Sequence, residues 1–110
     1  MKISKDQVYQ QLSKVLDPEL HIDIVSMGLI YDVSMGQIQL ASGEVKQKIH
    51  ILMTLTTPGC PLIGILHQMI KEQVIDLPGV KEEDIDIELT FDPPWVPDMM
   101  SEEARAELGL

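Results

Sequence analysis

With 110 residues, eighteen acidic and eight basic, the chain carries a formal net charge of −10 at pH 7. That balance argues against nucleic acid as a partner, because such binding rests on neutralising phosphates with Lys and Arg, and the single arginine stands apart from any basic stripe. One cysteine cannot close an internal disulfide. With the absence of an apolar targeting core in residues 1–6 it points to a reducing, cytoplasmic setting. No apolar run approaches the ~20 residues needed to span a bilayer, so no membrane role is expected. The length suits one domain over residues 1–110, which would bury roughly 60–70% of the surface its unfolded chain exposes.

In chain order, Ser4 and Gln7 form a capping box, and Ile3 with Val8 stands at hydrophobic-staple spacing. Val8, Leu12, Val15 and Leu16 then fall on one apolar face, which predicts a helix over 5–16 that ends at Asp17-Pro18. Residues 19–27 read as irregular, with Gly28 as punctuation. A strand is expected over 29–40 with a bulge at Gly36, a turn at Ser42-Gly43, and an antiparallel partner over 46–56. A second helix over 62–74 would present Leu62, Leu66, Met69, Ile70 and Val74, continued by Leu77 and stopped by Pro78-Gly79. Ile85, Ile87, Leu89 and Phe91 alternate with polar residues, as in a half-buried strand facing helices. The proline-rich stretch 92–98 holds the only tryptophan, Trp95, expected to cap the core. Ser101 opens a last short helix that Gly109 closes. The order αββαβα implies a small two-layer α/β sandwich, a three- or four-stranded mixed sheet packed by helices.

The segment Thr56-Thr57-Pro58-Gly59-Cys60-Pro61 lies at the predicted strand-to-helix turn. Pro61 suits the first helical position, which sets Cys60 at or beside the N-cap, where free N–H groups and the helix dipole favour a thiolate. Such a cysteine is reactive or a soft metal ligand. The segment around it is free of acids, none occurring between Glu44 and Glu72. The plainer reading is that a lone cysteine fills space in the core. His21, His50 and His67 show no recognised ligand spacing, and His67 sits roughly 10 Å along the helix from Cys60. Asp17, with Glu19 and Asp23, either satisfies the local Asp-Pro turn or supplies a carboxylate to the Cys60 turn.

Four ordered segments together resemble the SufT-like and PaaD-like iron–sulfur cluster assembly family, to which the eukaryotic cytosolic iron–sulfur targeting factors also belong. They are Asp17-Pro18-Glu19-Leu20; Ile24-Val25 with Gly28-Leu29-Ile30-Tyr31-Asp32-Val33; Met53-Thr54-Leu55-Thr56-Thr57-Pro58-Gly59-Cys60-Pro61; and Asp92-Pro93-Pro94-Trp95 with Met100-Ser101-Glu102-Glu103-Ala104-Arg105. The resemblance implies an α/β assembly domain that is not an enzyme, works in iron–sulfur protein maturation, and meets iron–sulfur scaffold and client proteins. It makes Cys60 the functional thiol and metal ligand, Asp17 its companion, and Thr56 and Thr57 the border of the same turn. Two features depart from the pattern: residues 36–48 are longer than the usual hairpin, and Val96 and Met99 replace a hydroxyl and a basic residue. Iron–sulfur clusters are held by sets of cysteine thiolates, and this chain offers one, or two as a homodimer. A monomer is therefore expected to hold no cluster tightly, leaving transient carriage of a cluster or iron, or an adaptor role. A thiol redox protein and a pure interaction module with a structural Cys60 are the alternatives.

Overall fold

The computed structural model describes residues 3–18, 21–56 and 63–109, with Ile38 and Lys46 described by their backbone alone. The first helix, α1 (Lys5–Leu12), starts as the sequence dictates. Ser4 Oγ accepts the Gln7 N–H at 3.2 Å and Gln7 Oε1 accepts the Ser4 N–H at 2.9 Å, while Ile3 and Val8 are both buried. It ends four residues before the predicted 16, and the reason is local. Lys14 and Val15 donate to the carbonyls of Gln11 and Leu12, three residues back, and Ser13 Oγ donates to the Tyr9 carbonyl at 2.9 Å, so the last turn tightens instead of propagating. Val15 stays in the core at 1% exposure, but Leu16, expected on the same face, is 44% exposed.

Strands β1 (Ile30–Gln39) and β2 (Val45–Met53) form an antiparallel hairpin. Its loop is closed by the Leu40 N–H on the Glu44 carbonyl and the Gly43 N–H on the Leu40 carbonyl, both 2.8 Å. Gly43 has φ +90°, the left-handed position of a three-residue hairpin loop. The irregularity expected at Gly36 lies elsewhere. Gly36 pairs in register with Lys48, and the slip falls between Ile30 and Asp32, so Tyr31 is the residue left out of the ladder. Helix α2 (Ile63–Val74) carries the chain across to β3 (Ile85–Leu89), which pairs parallel to β2 from Ile49↔Ile85 to Met53↔Leu89. Among the described residues the sheet is three-stranded and mixed, in the order β1-β2-β3, so the fold is the expected α/β sandwich.

Alternation divides the sheet. Val33, Ile49, Ile51, Met53 and Ile85 face the layer formed by Val8 and Leu12 of α1 and Leu66, Ile70 and Val74 of α2, all of them buried. Burying each such side chain contributes roughly 1.5–3 kcal/mol. His50, Asp86 and Glu88 lie on the other face, with His50 Nδ1 3.0 Å from Asp86 Oδ2 and Nε2 3.5 Å from Glu88 Oε1. Helical cover falls off along β3. Ile85 is buried and Ile87 half-buried, but Leu89 and Phe91, expected to share that buried face, are exposed where the chain leaves the sheet. The last helix, α3 (Glu102–Leu108), is capped by Ser101 Oγ on the Ala104 N–H, closes at Gly109 with φ +75°, and seats Met100 and Ala104 in the core. No helix among the described residues is long and apolar enough to cross a membrane.

The early end of α1 has a direct test. Val15→Ala should cost about 2 kcal/mol in urea unfolding, the loss of a packed side chain with its cavity. Leu16→Ala should stay within ~1 kcal/mol of wild type, as exposed positions do. Equal costs would mean that the helix runs on to residue 16.

Candidate functional site at the end of the central strand

β2 is the middle strand, and its carboxyl end is tied on both sides. The Met53 carbonyl accepts the Thr90 N–H at 2.9 Å, and the Thr54 N–H donates to the Leu29 carbonyl at 2.8 Å. Thr54 and Leu55 are buried and Thr56 is exposed, so the chain surfaces there. Thr57 and Cys60 lie in residues 57–62, outside the described residues, and the chain is described again from Ile63 at the start of α2. In sheets built on parallel strand–helix–strand units, ligands bind outside the carboxyl ends of the strands. Of the sequence-predicted site residues, Thr56 stands at that end of β2.

Asp17 is half-buried in the loop that follows α1. Its N–H donates to the Ile22 carbonyl and its carbonyl accepts the His21 N–H, both at 2.8 Å, and Leu16 bridges to Asp23. Asp23 Oδ2 accepts the Ser26 N–H at 2.9 Å and steadies the next turn. Three main-chain hydrogen bonds lead from this loop to the end of β2: Ile24 N–H to the Val15 carbonyl (3.0 Å), Leu29 N–H to the Ile24 carbonyl (3.1 Å), and Thr54 N–H to the Leu29 carbonyl (2.8 Å). Beside the loop a cleft of about 230 Å³ opens towards α3, with His21, Asp23, Glu103 and Glu107 in its walls. Among the described residues no three His, Cys, Asp or Glu side chains are grouped to hold a metal ion.

A proline-rich strap crosses from β3 to the same region. Trp95 Nε1 donates to the Met27 carbonyl at 2.7 Å, and its half-buried ring packs on the core, the capping role expected from the sequence. The Tyr31 hydroxyl donates to the Pro93 carbonyl at 2.7 Å, and the Ser101 N–H to the Ser26 carbonyl at 2.8 Å. Gly28, at φ +77°, lies so close under the strap that a Cβ there would fall 2.4 Å from the Met99 carbonyl oxygen. Sequence reasoning took Gly28 as simple punctuation and missed this latch; only the pairing of one glycine with a distant proline-rich stretch hinted at it.

His67, on the fifth residue of α2, was set aside in the sequence as too far from Cys60. Its Nε2 is buried and has no hydrogen-bond partner among the described residues. Burial, and secondarily the Lys71 ammonium one turn on, hold its pKa below the ordinary histidine value of 6.5.

The order α1-β1-β2-α2-β3-α3 and the parallel β2–α2–β3 unit define a small α/β domain, in which the sequence Thr57-Pro58-Gly59-Cys60-Pro61 falls between β2 and α2. The model of the family described as iron–sulfur cluster assembly protein matches residues 5–87, and the chain belongs to that family. It is 42% identical over 106 residues to a Bacillus subtilis protein called Fe-S protein maturation auxiliary factor YitW, covering 96% of this chain and 94% of that one. It is 34% identical over 96 residues to a Staphylococcus aureus protein called Fe-S protein maturation auxiliary factor SufT, covering 87% and 98%. A crystal structure of a DUF59 domain from Bacillus anthracis superposes with a TM-score of 0.81 at 33% identity, covering 96% of this chain and 92% of that one.

Two measurements probe this region. Gly28→Ala should lower stability by at least ~2 kcal/mol in urea unfolding, through left-handed strain plus displacement of the Met99 backbone, which has no flexible side chain to yield. A variant as stable as wild type would mean that the strap does not close on Gly28. For His67 the folded-state pKa lies below the unfolded one, so the unfolded chain binds more protons as pH falls through 6.5 and stability drops with it. His67→Leu should flatten that acid limb relative to wild type in melting curves from pH 8 down to about 5. Parallel limbs for the two proteins would show that His67 is not held neutral by the fold.

Proposed function

We propose that this chain is an accessory factor in iron–sulfur protein maturation that handles a cluster or iron transiently through Cys60. The cluster is cargo, not a resident cofactor, since one thiol per chain falls short of the thiolate set that holds a cluster. Residues 1–110 act as one domain in the cytoplasm, meeting scaffold and client iron–sulfur proteins, and the chain performs no conventional enzymatic reaction. Cys60 is the working thiol, Thr56 and Thr57 border its turn, and Asp17 is its companion carboxylate.

The observation that carries this reading is family membership, together with a Thr-Pro-Gly-Cys-Pro sequence that lies between strand β2 and helix α2 in chain order. The names borne by the relatives fit a maturation role. The run of hydrogen bonds from Val15 through Ile24 and Leu29 to Thr54 supports pairing Asp17 with Cys60, because it ties the Asp17 loop to the end of the strand that precedes Cys60 in the chain.

Cys60→Ser tests the working thiol. A serine at an N-cap serves the free N–H groups at least as well as cysteine, so stability should stay within ~0.5 kcal/mol of wild type. Maturation of an iron–sulfur client, read as client activity in cells that rely on this chain, should be lost. A destabilised variant whose activity follows its folded fraction would instead show that Cys60 packs in the core, where an unpartnered hydroxyl costs ~1–3 kcal/mol.

A further inference from the structure

We propose that the outer edge of β1 is a self-association surface, on which a second copy of this chain adds its own β1 antiparallel across a two-fold axis to make a continuous sheet. The inference rests on the fold alone and stands or falls independently of the proposed function.

A strand edge presents a row of unpaired N–H and C=O groups, and monomeric proteins blunt such edges with short strands, charged side chains, prolines, bulges or a covering element. β1 uses none of these along its outer part. It is ten residues long, with β2 on one side and, among the described residues, no strand on the other. From Val33 to Gly43 it and the following loop hold no charged residue and no proline, in a chain where 24% of residues are charged. The one register slip lies at its start, between Ile30 and Asp32, and leaves the remainder regular. Gly36, Gln37 and Gln39 are exposed.

The hairpin fixes which main-chain groups point outward. The Leu40 N–H on the Glu44 carbonyl makes that pair a hydrogen-bonded one. Hydrogen-bonded pairs recur at every second position of an antiparallel ladder, so Ser34↔His50 and Gly36↔Lys48 also bond inward. The N–H and C=O groups of Val33, Met35, Gln37 and Gln39 therefore point away from β2. These groups call for an extended backbone, and electrostatics select which one. In a molecule with net charge −10, self-association is opposed wherever acids meet acids, and the outer part of this edge carries none. A two-fold pairing centred on Gly36, which sets Val33 opposite Gln39 and Met35 opposite Gln37, opposes only uncharged positions of the two strands, because the first charges, Asp32 and Glu44, lie beyond the paired run.

Sedimentation equilibrium and concentration-dependent amide exchange on the full chain test this. Wild type should be a dimer at high concentration, and raising the concentration should protect the amides of Val33, Met35, Gln37 and Gln39 while leaving those of Ser34 and Gly36 unchanged. Gln37→Pro deletes only an outward N–H, a position at which an edge strand tolerates proline. It should keep the wild-type circular dichroism and weaken dimerisation by at least ~30-fold, one lost donor in each copy. Should the proline disturb the hairpin, Gln37→Glu/Gln39→Glu alters only exposed side chains and should give a folded monomer whose dimer returns at high salt. A wild type that stays monomeric with freely exchanging outward amides would overturn the proposal. So would a dimer that survives both variants, or protection of the edge that appears only when a different protein is added.

Discussion

The domain depends on how β2 ends. Met53 and Thr54 bond in opposite directions, one to Thr90 and the other to Leu29, so a single dipeptide fixes the strap that follows β3 and the loop that precedes β1. The strand itself is buried on one face and flanked on both sides, and cannot shift register without exposing Ile49, Ile51 and Met53 together. That rigidity fixes the point, at Thr56, where the chain leaves the sheet. Rigid elements of this kind are the supports on which functional groups are held most closely in place.

The strap and the loop before β1 complete this end of the molecule by meeting each other. Neither pairs in the sheet, so their polar backbone groups need partners outside any ladder. The solution is reciprocal. The carbonyls of Ser26 and Met27 take donors from Ser101 and Trp95, and the Pro93 carbonyl takes one from Tyr31. The register slip that frees Tyr31 from β2 and the glycine that admits Met99 belong to the same arrangement. The slip thus coincides with a contact 62 positions away in the chain, between Tyr31 and Pro93.

The contrast explains what the sequence revealed and what it withheld. Capping, alternation and turn chemistry are local, and through them the Ser4–Gln7 box, the buried positions of α2, the Gly43 loop and the Ser101 cap were all legible. The resemblance of four ordered segments carried the family as well. The end of α1 was misplaced because Val15 and Leu16 continue a helical pattern while Ser13 diverts the backbone, a competition that periodicity does not register. A bulge at Gly36 was expected because glycine permits one, but permission is not a cause, and the slip lies at Tyr31, whose hydroxyl is latched to Pro93. Leu89 and Phe91 keep strict alternation yet stay exposed, since alternation marks a face of the sheet and does not say how far the helices reach along it. Cys60 and Thr57 lie outside the described residues, so their roles still rest on chemistry and kinship.

In the proposed role, the scarcity of ligands is a functional asset. A carrier that gave a full set of thiolates would hold its cluster as firmly as the client that should receive it, and transfer would lack a direction. A chain with one thiol is outcompeted by any apoprotein that presents several, so ligand count alone drives cargo towards the client. The acid-free run around Cys60 bears on the same exchange. Thiolates are the form that ligates, and a molecule with net charge −10 would suppress them through its overall field if its acids stood close to the thiol in sequence. Eleven of the acids instead fall at or after Asp76: four between α2 and β3, and the rest in β3, the strap and α3. That charge is thereby kept, in sequence, away from the thiol that the proposed role requires to ionise.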